Sequence, residues 1–397
     1  MTAKKTIVQL FLSYYTVAAW GGAEKVCVKM SNLAVQKGYR VINIYNDRPE
    51  AKFLYPLDER VETYNLAITA AIVPFSKRLL YFLAKKLRIK IKNPADTHKI
   101  DLLAKNIDNI LANRAVYAII CYNYRNALAA DKLRHKAPKI LMDHGPSDPE
   151  AMLKYRTPEE LAVIDRMSVY QTLLPNFVKL AQKYTHTQVV CIPNIVPQIK
   201  TAQPAKKKAK IIINIGRINK VHKRQRLLVE AFARIAPQFP DWQLHLYGDT
   251  PTLRDKFYKK NIEKFIRRHD LQKQALFKGV TKNPLQALQN AAICGFPSAY
   301  ESWGLSLTEA MSSGLPAIGF RSTPAVNDLI IDGHSGFLAK DIADYAQKLA
   351  TLLNNAKLRE QMGQNARQQM QEYTEDKVWR KWENLFKEIN KQDKPNN

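Results

Sequence analysis

Cysteine is scarce in this 397-residue chain: Cys27, Cys121, Cys191 and Cys294 are the four, far apart and without a C-x-x-C pair. That excludes a disulfide scaffold and argues against a zinc site, leaving four reduced thiols in apolar stretches, expected in the core. No apolar run reaches the roughly 18 residues of a membrane span. The run from Thr6 to Trp20 is broken by Gln9, Ser13 and Thr16 and passes straight into a helical pattern at Gly21-Gly22-Ala23-Glu24. It reads as a first strand and its loop rather than a secretion signal, so the expected compartment is the cytoplasm. There is no solenoid repeat. D-x-D, H-E-x-x-H and G-x-S-x-G are all missing, which removes support for a metal-held nucleotide sugar, a zincin or a hydrolase elbow. No metal and no cofactor are expected.

Acid is also in short supply. Against 62 Lys and Arg stand 35 Asp and Glu, a formal charge of +27, while 46% apolar residues exclude a wholly disordered chain. Residues 1–198 hold 29 basic and 16 acidic groups and residues 199–397 hold 33 and 19, so the halves carry +13 and +14. The excess is therefore not a tail. It favours nucleic acid, an anionic membrane face or a phosphorylated small molecule, without choosing among them.

Short apolar runs alternate with longer helical patterns. Thr6–Leu12, Val41–Tyr45, Tyr117–Cys121, Ile140–Asp143 and Thr187–Ile192 read as strands, with a helix over Glu24–Lys37. After a Lys- and Ala-rich linker at Gln198–Lys210 the alternation restarts. Strands follow at Ile211–Ile215, Gln243–Tyr247, Ala275–Lys278, Ala292–Gly295 and Pro316–Phe320, with helices at Arg226–Ala236 and Leu253–Asp270. The β-α-β pattern predicts an α/β protein of two doubly wound parallel-sheet domains, 1–198 and 199–375, with a ligand cleft between the two sheets. A final helix around Lys377–Asn390, within 376–397, is expected to cross back onto the first domain.

One segment departs from the pattern. Ile72–Lys92 carries seven positive charges and no acid. Ile72, Phe75, Leu79, Phe82, Leu83 and Leu87 share one helical face, and Arg78, Lys85 and Arg88 the other. Two readings stay open, a helix lying in an anionic membrane interface and an ordinary surface helix packed on its own domain.

The densest chemistry lies in Pro297–Phe320. Ser302-Trp303-Gly304 reads as a loop, Leu305–Ser313 as a helix capped by Gly314. Backbone N–H groups around Trp303, Gly304 and Leu305 would form a seat for a diphosphate at the positive end of the helix dipole. Glu301 before that helix and Glu309 a turn inside it would each take hydroxyls, one of a sugar and one of a ribose. Gly216 and Arg217 end a strand and His222-Lys223-Arg224 follow, placing Arg217 and Lys223 to meet phosphate oxygens. Gly21 and Gly22 would let backbone approach a ligand closely. His144 follows an expected strand end, where a structural histidine and one acting in the cleft are both open readings.

Taken together these motifs resemble the retaining glycosyltransferases of family 4, which have the GT-B fold of two Rossmann-like domains. The resemblance is carried by W-G-G-A-E near the start, I-P-N-I-V at 192–196, I-G-R-I-N at 215–219, Y-G-D at 247–249, E-S-W-G-L-S-L-T-E-A-M at 301–311 and D-G-H-S-G-F-L at 332–338. It implies a nucleotide-activated sugar held mainly by the second domain without an essential metal. Arg217 and Lys223 would neutralise the leaving diphosphate, Glu301 would hold the donor sugar and Glu309 the ribose. His144, Gly21 and Gly22 would face the reacting centre. Arg224 stands where the family often has Gly, and Trp303 where Phe is usual.

The expected activity is transfer of a sugar, with retention, to a glycan or lipid-linked glycan acceptor in lipopolysaccharide, capsule or related surface-glycan synthesis. Basic charge and Ile72–Lys92 suit peripheral contact with the inner face of the cytoplasmic membrane. A cytosolic transferase acting on a soluble sugar or glucan is the alternative. Nucleic acid is not expected as a partner: only the charge suggests it, and the nearest stacking candidates, Tyr122, Tyr124 and Arg125, fit a strand-end loop equally well.

Overall fold

A computed structural model of the chain describes residues 4–12, 17–18, 21–68, 75–87, 93–142, 158–199 and 208–392. The chain divides into two units, Met1–Pro193 with Trp379–Asn397, and Asn194–Val378. Most of the expected linker, and His144, lie outside the described residues.

Among the described residues the first unit carries β1 (Thr6–Phe11), β2 (Arg40–Tyr45), β3 (Glu62–Asn65), β4 (Ala118–Cys121), β5 (Lys139–Met142), β6 (Val169–Thr172) and β7 (Val189–Cys191). All pairings are parallel, in the order β3-β2-β1-β4-β5-β6-β7. The helices are α1 (Gly22–Gln36), α2 (Phe75–Lys86), α3 (Pro94–Leu111), α4 (Tyr124–Asp131), α5 (Pro158–Asp165) and α6 (Pro175–Ala181). Strands covered on both faces are apolar along their length instead of alternating, as in the fully buried TIVQLF of β1. Its central polar residue, Gln9, sits in the core and is satisfied there. Its amide donates to Ser31 Oγ at 2.7 Å and Asn43 Oδ1 at 3.1 Å, and its carbonyl oxygen accepts from the Tyr122 hydroxyl. A satisfied buried network of this kind fixes one packing of α1 on the sheet.

The second unit carries β8 (Ile211–Ile215), β9 (Gln243–Tyr247), β10 (Ala275–Gly279), β11 (Ile293–Phe296), β12 (Ala317–Phe320) and β13 (Gly336–Ala339), again parallel, in the order β10-β9-β8-β11-β12-β13. Its helices are α7 (Gln225–Ala233), α8 (Leu253–Arg268), α9 (Pro284–Asn290), α10 (Leu305–Ser312), α11 (Val326–Leu329), α12 (Ile342–Asn354) and α13 (Ala356–Met370). The sheet core is built from Ile212, Leu244, Leu246, Ile293 and Ile318 against Leu228, Phe232, Ile262 and Leu349. Helix α7 ends at Ala233 and not at the expected Ala236, because a short 3-10 turn with Pro237 replaces its last turn.

Helix α14 (Glu375–Gln392) begins in the second unit, and from Trp379 onward it belongs to the first. There Trp379 meets the Tyr39 ring edge-on at 5.5 Å, and Asn390 Nδ2 donates to the Tyr117 carbonyl at 3.1 Å.

Of the four cysteines, Cys27, Cys121 and Cys294 are buried, with thiols pushed up to about 12 by desolvation. Cys191 corrects the expectation of four core thiols. It lies on β7, the edge strand, and is only half-buried.

Candidate active site

In the second sheet the strand order reverses between β8 and β11, with β9 and β10 to one side and β12 and β13 to the other. Ligands of doubly wound sheets bind outside the carboxyl ends of the strands at such a reversal, because the loops there diverge and leave a crevice. The two loops that leave this point are 216–224 and 297–304, the segments in which Gly216, Arg217, Lys223 and Glu301 were expected to act.

The first loop is held by its neighbours on β9. The Gly216 N–H donates to the Tyr247 carbonyl at 3.0 Å and the Ile218 N–H to the Asp249 carbonyl at 2.9 Å. Gly248 lies between those acceptors with φ +152°, and a Cβ built on it falls 2.0 Å from the Gly216 carbonyl oxygen. Only glycine lets the two backbones come this close. Asn219 shapes the turn that follows. Its Oδ1 accepts from the N–H groups of Val221 and His222, both at 2.9 Å, and its Nδ2 donates to Asp255 Oδ1 at 2.8 Å.

Arg224 then adopts φ +46°, the left-handed region that favours glycine. Its guanidinium offsets that cost by donating to the Pro297 carbonyl at 3.3 Å and the Ser298 carbonyl at 3.1 Å. Burial pulls this guanidinium below its ordinary pKa. The departure from the glycine common in the family is thus a side chain that ties the β8 loop to the β11 loop. A backbone bond from the Ala299 N–H to the His222 carbonyl, 2.7 Å, makes the same connection.

Lys223 and Glu301 meet across these loops, Nζ to Oε1 at 2.5 Å, with the carboxylate side chain only 11% exposed. The second carboxylate oxygen keeps its lone pairs for another donor. Arg217 is exposed and has no ion-pair partner among the described residues.

Gly304, φ +78°, turns the chain into α10, and no side chain caps that helix start. The first N–H groups, from Leu305 on, therefore have no capping acceptor of their own, and the helix dipole adds positive potential there. Glu309 is the fifth residue of α10 and is 4% exposed. At the other end Gly314, φ +72°, closes the helix as expected, and Lys208 Nζ donates to the carbonyls of Ser313 at 3.3 Å and Gly314 at 3.0 Å. Burial brings Lys208 down to about 8. A lysine of the expected linker therefore anchors the helix that carries Glu309.

The expectation at Trp303 concerned its backbone N–H, and its side chain turns into the unit. Its indole is buried, edge-on to Tyr373 at 5.0 Å, which leaves its backbone to face a ligand. In the first unit Gly21 precedes α1, and the group in close approach to it is its own neighbour: a Cβ on Gly21 would lie 1.8 Å from Glu24 Oε2. Gly22 is the first residue of α1. The stacking candidates of the nucleic-acid reading, Tyr122 and Tyr124, are both buried in the core. The first unit also holds a cavity of about 510 Å³ among α3, α4 and α5, floored by Leu12, Ile100, Leu103 and Leu128 and rimmed by charged side chains such as Arg125 and Arg166.

Sequence reasoning quoted Asn219 within I-G-R-I-N and Gly248 within Y-G-D without a role for either, and placed Lys208 in the linker. The only signal was a glycine directly after a strand, in Tyr247-Gly248-Asp249, and an asparagine two residues past Arg217.

Residues 196–369 match the family model described as glycosyl transferases group 1. An uncharacterized glycosyltransferase of Haemophilus influenzae is 23% identical over 376 residues, 93% of this chain and 97% of its own length. The poly(ribitol-phosphate) alpha-N-acetylglucosaminyltransferase of Staphylococcus aureus is 32% identical over 180 residues, 45% of this chain and 35% of that protein. Among solved structures, a variant of S. aureus TarM superposes with a TM-score of 0.74 at 18% identity, covering 96% of this chain and 99% of that one.

Proposed function

We propose, from the match of residues 196–369 to the glycosyl transferases group 1 and from the GT-B fold of two Rossmann-like units, that the chain is a glycosyltransferase of that group and moves a hexosyl or N-acetylhexosaminyl group from a nucleoside diphosphate sugar to a hydroxyl of a glycan or lipid-linked glycan, with retention, in the synthesis of a surface polymer such as lipopolysaccharide or capsule. One observation carries the reading. At the strand-order reversal, an uncapped helix start, the Lys223–Glu301 pair and Arg217, which has no ion-pair partner among the described residues, all lie on the loops that leave β8 and β11. That set offers fixed positive charge for a diphosphate and carboxylate oxygen for sugar hydroxyls.

In the proposed reaction the acceptor hydroxyl attacks the anomeric carbon from the face the diphosphate leaves. The bond between the anomeric carbon and the bridging diphosphate oxygen breaks, that oxygen leaving with the nucleoside diphosphate, the new glycosidic bond forms, and the hydroxyl proton passes to a departing phosphate oxygen. Arg217 and Lys223 take up the charge that develops on the diphosphate, the work a divalent metal does elsewhere, so no metal is required. Glu301 orients the donor sugar through its free carboxylate oxygen and Glu309 holds the ribose. The TarM variant was solved with UDP, which makes uridine diphosphate sugars the first donors to try. The S. aureus relative is named for transfer to a phosphate-bearing polymer, and an anionic acceptor of that kind suits a chain of charge +27.

The test is thermal stabilisation of the full chain by a panel of nucleoside diphosphates and their sugars with EDTA present. Ligand that binds only the native state raises Tm with occupancy, by about 2.7 kcal/mol of stability at 100 Kd. A shift from one base, lost in Glu309→Ala, is the expected result. No shift from any nucleotide would overturn the reading.

A further inference from the structure

The segment Ile72–Lys92 left two readings open, and the structure bears on them directly. Helix α2 is mounted with its apolar face outward. Phe75 is 77% exposed, Leu80 64%, Phe82 63% and Leu87 70%, with Leu79 and Leu83 also in solvent. At about 100° per residue these six span an arc of roughly 160°. The edge turned to the protein is narrow: Ala84 is buried, Tyr81 is half-buried, and α2 packs against α3. Six of the fourteen exposed large hydrophobic residues described in the whole chain fall in these thirteen positions, so the patch is a concentration and not a scatter of single residues.

We propose that α2 is a docking helix for an anionic membrane surface, lying in the plane of the interface with Phe75, Leu79, Leu80, Phe82, Leu83 and Leu87 among the acyl chains. The occupant follows from charge. Residues 72–92 carry seven cations and no acid, and the exposed Lys86 lies within the arc, between Phe75 and Leu79 on the helical wheel. A second copy of the chain, paired face to face, would bring two such strips together with no carboxylate between them. A nucleic acid would take the cations and leave the apolar arc in water. An acidic bilayer takes both, because lysine stems reach phosphate headgroups while apolar side chains sink below them. The proposal rests on α2 alone and does not depend on the donor assignment.

The experiment is flotation of the full chain with vesicles of phosphatidylcholine, alone or with about one-third phosphatidylglycerol. The wild type should float with the anionic vesicles only, and less so at high salt. Phe75→Ser/Leu80→Ser/Leu87→Ser should lower the bound fraction at least ~10-fold, and Lys86→Glu/Lys90→Glu should abolish the preference for anionic lipid. Retention of the nucleotide-induced Tm shift by both variants would show them folded and separates this test from that of the donor site. Wild-type protein that stays unbound, or a triple variant that floats like wild type, would overturn the proposal. So would a wild-type dimer in sedimentation that the triple variant disperses, since the face would then belong to a second copy.

Discussion

Helices α2 and α10 break the rule of burial in opposite directions. Helix α2 holds six large apolar side chains in solvent, while α10 holds the carboxylate Glu309 in the interior at 4% exposure. Their sequences alone do not separate them, since each has a continuous apolar face and polar residues beside it. The neighbours do. Helix α10 packs against β11, β12 and α13, which bury it from Leu307 to Ser312, polar residues included. Helix α2 meets its unit along one edge of small and aromatic residues, and its apolar arc finds no cover there. A buried carboxylate and an exposed apolar strip are both unfavourable for folding by themselves, which is why the two proposals above rest on these helices.

The largest effects should come from the α10 side. Lys223→Ala should lower kcat/KM by about 10²–10³, equivalent to about 2.7–4 kcal/mol of transition-state stabilisation, with Arg217→Ala acting in the same direction. Steady-state kinetics with the donor found by thermal shift would check this. Wild-type turnover in both variants would remove the phosphate assignment. Glu309→Ala should act on donor KM rather than kcat, because the ribose does not react.

Gly248→Ala comes next. The new methyl group would meet the Gly216 carbonyl at 2.0 Å in a φ +152° conformation, so the β8 loop must move. A loss of about 3 kcal/mol of stability is expected from that clash together with backbone strain. Chemical denaturation would measure it, and a cost below ~1 kcal/mol would show that the two loops are not held as tightly as their hydrogen bonds indicate.

Arg224 gives a paired comparison. Arg224→Ala loses the bonds to Pro297 and Ser298 and keeps the strained φ of +46°, whereas Arg224→Gly loses the bonds and relieves the strain. The glycine variant should be more stable than the alanine one by about 1 kcal/mol. Equal stabilities would mean that the left-handed conformation is not kept once the guanidinium is gone.

Much of this was legible in the residues, and the rest was not for identifiable reasons. Strands Ile211–Ile215 and Gln243–Tyr247 were read to the residue because central parallel strands are unbroken apolar runs bounded by turn signals. Strands β3, β6 and β13 were missed. ETYN and VYQT carry polar residues, and GFLA is four residues opening on glycine, so none looks like a core strand. The glycines, glutamates and basic residues of the second unit were picked out as a set because a diphosphate would call for those types, and Gly216, Lys223 and Glu301 lie on the two loops at the strand-order reversal. Their supports were not. Asn219 holds a turn, Gly248 makes room for a carbonyl and Lys208 caps a helix from far along the chain, roles that depend on tertiary contact and leave no periodic trace. The direction in which α2 faces belongs to the same class, because periodicity says which residues share a face and nothing about what that face meets.

That last point can be sharpened within a single turn of helix. Leu83 and Ala84 are adjacent, Leu83 at 46% exposure and Ala84 at 7%. Were α2 an ordinary amphipathic helix, polar substitution of the leucine would be the damaging change and enlargement of the alanine the harmless one. The observed mounting reverses this. Leu83→Gln should change unfolding free energy by no more than about 0.5 kcal/mol, since the side chain leaves solvent for nothing on folding. Ala84→Leu should cost about 1–3 kcal/mol, because the extra methylenes must enter the narrow contact with α3. Denaturant titration of the two variants decides between the mountings: a larger loss for Leu83→Gln than for Ala84→Leu would turn the helix over, bury its apolar arc and make α2 and α10 obey the same rule.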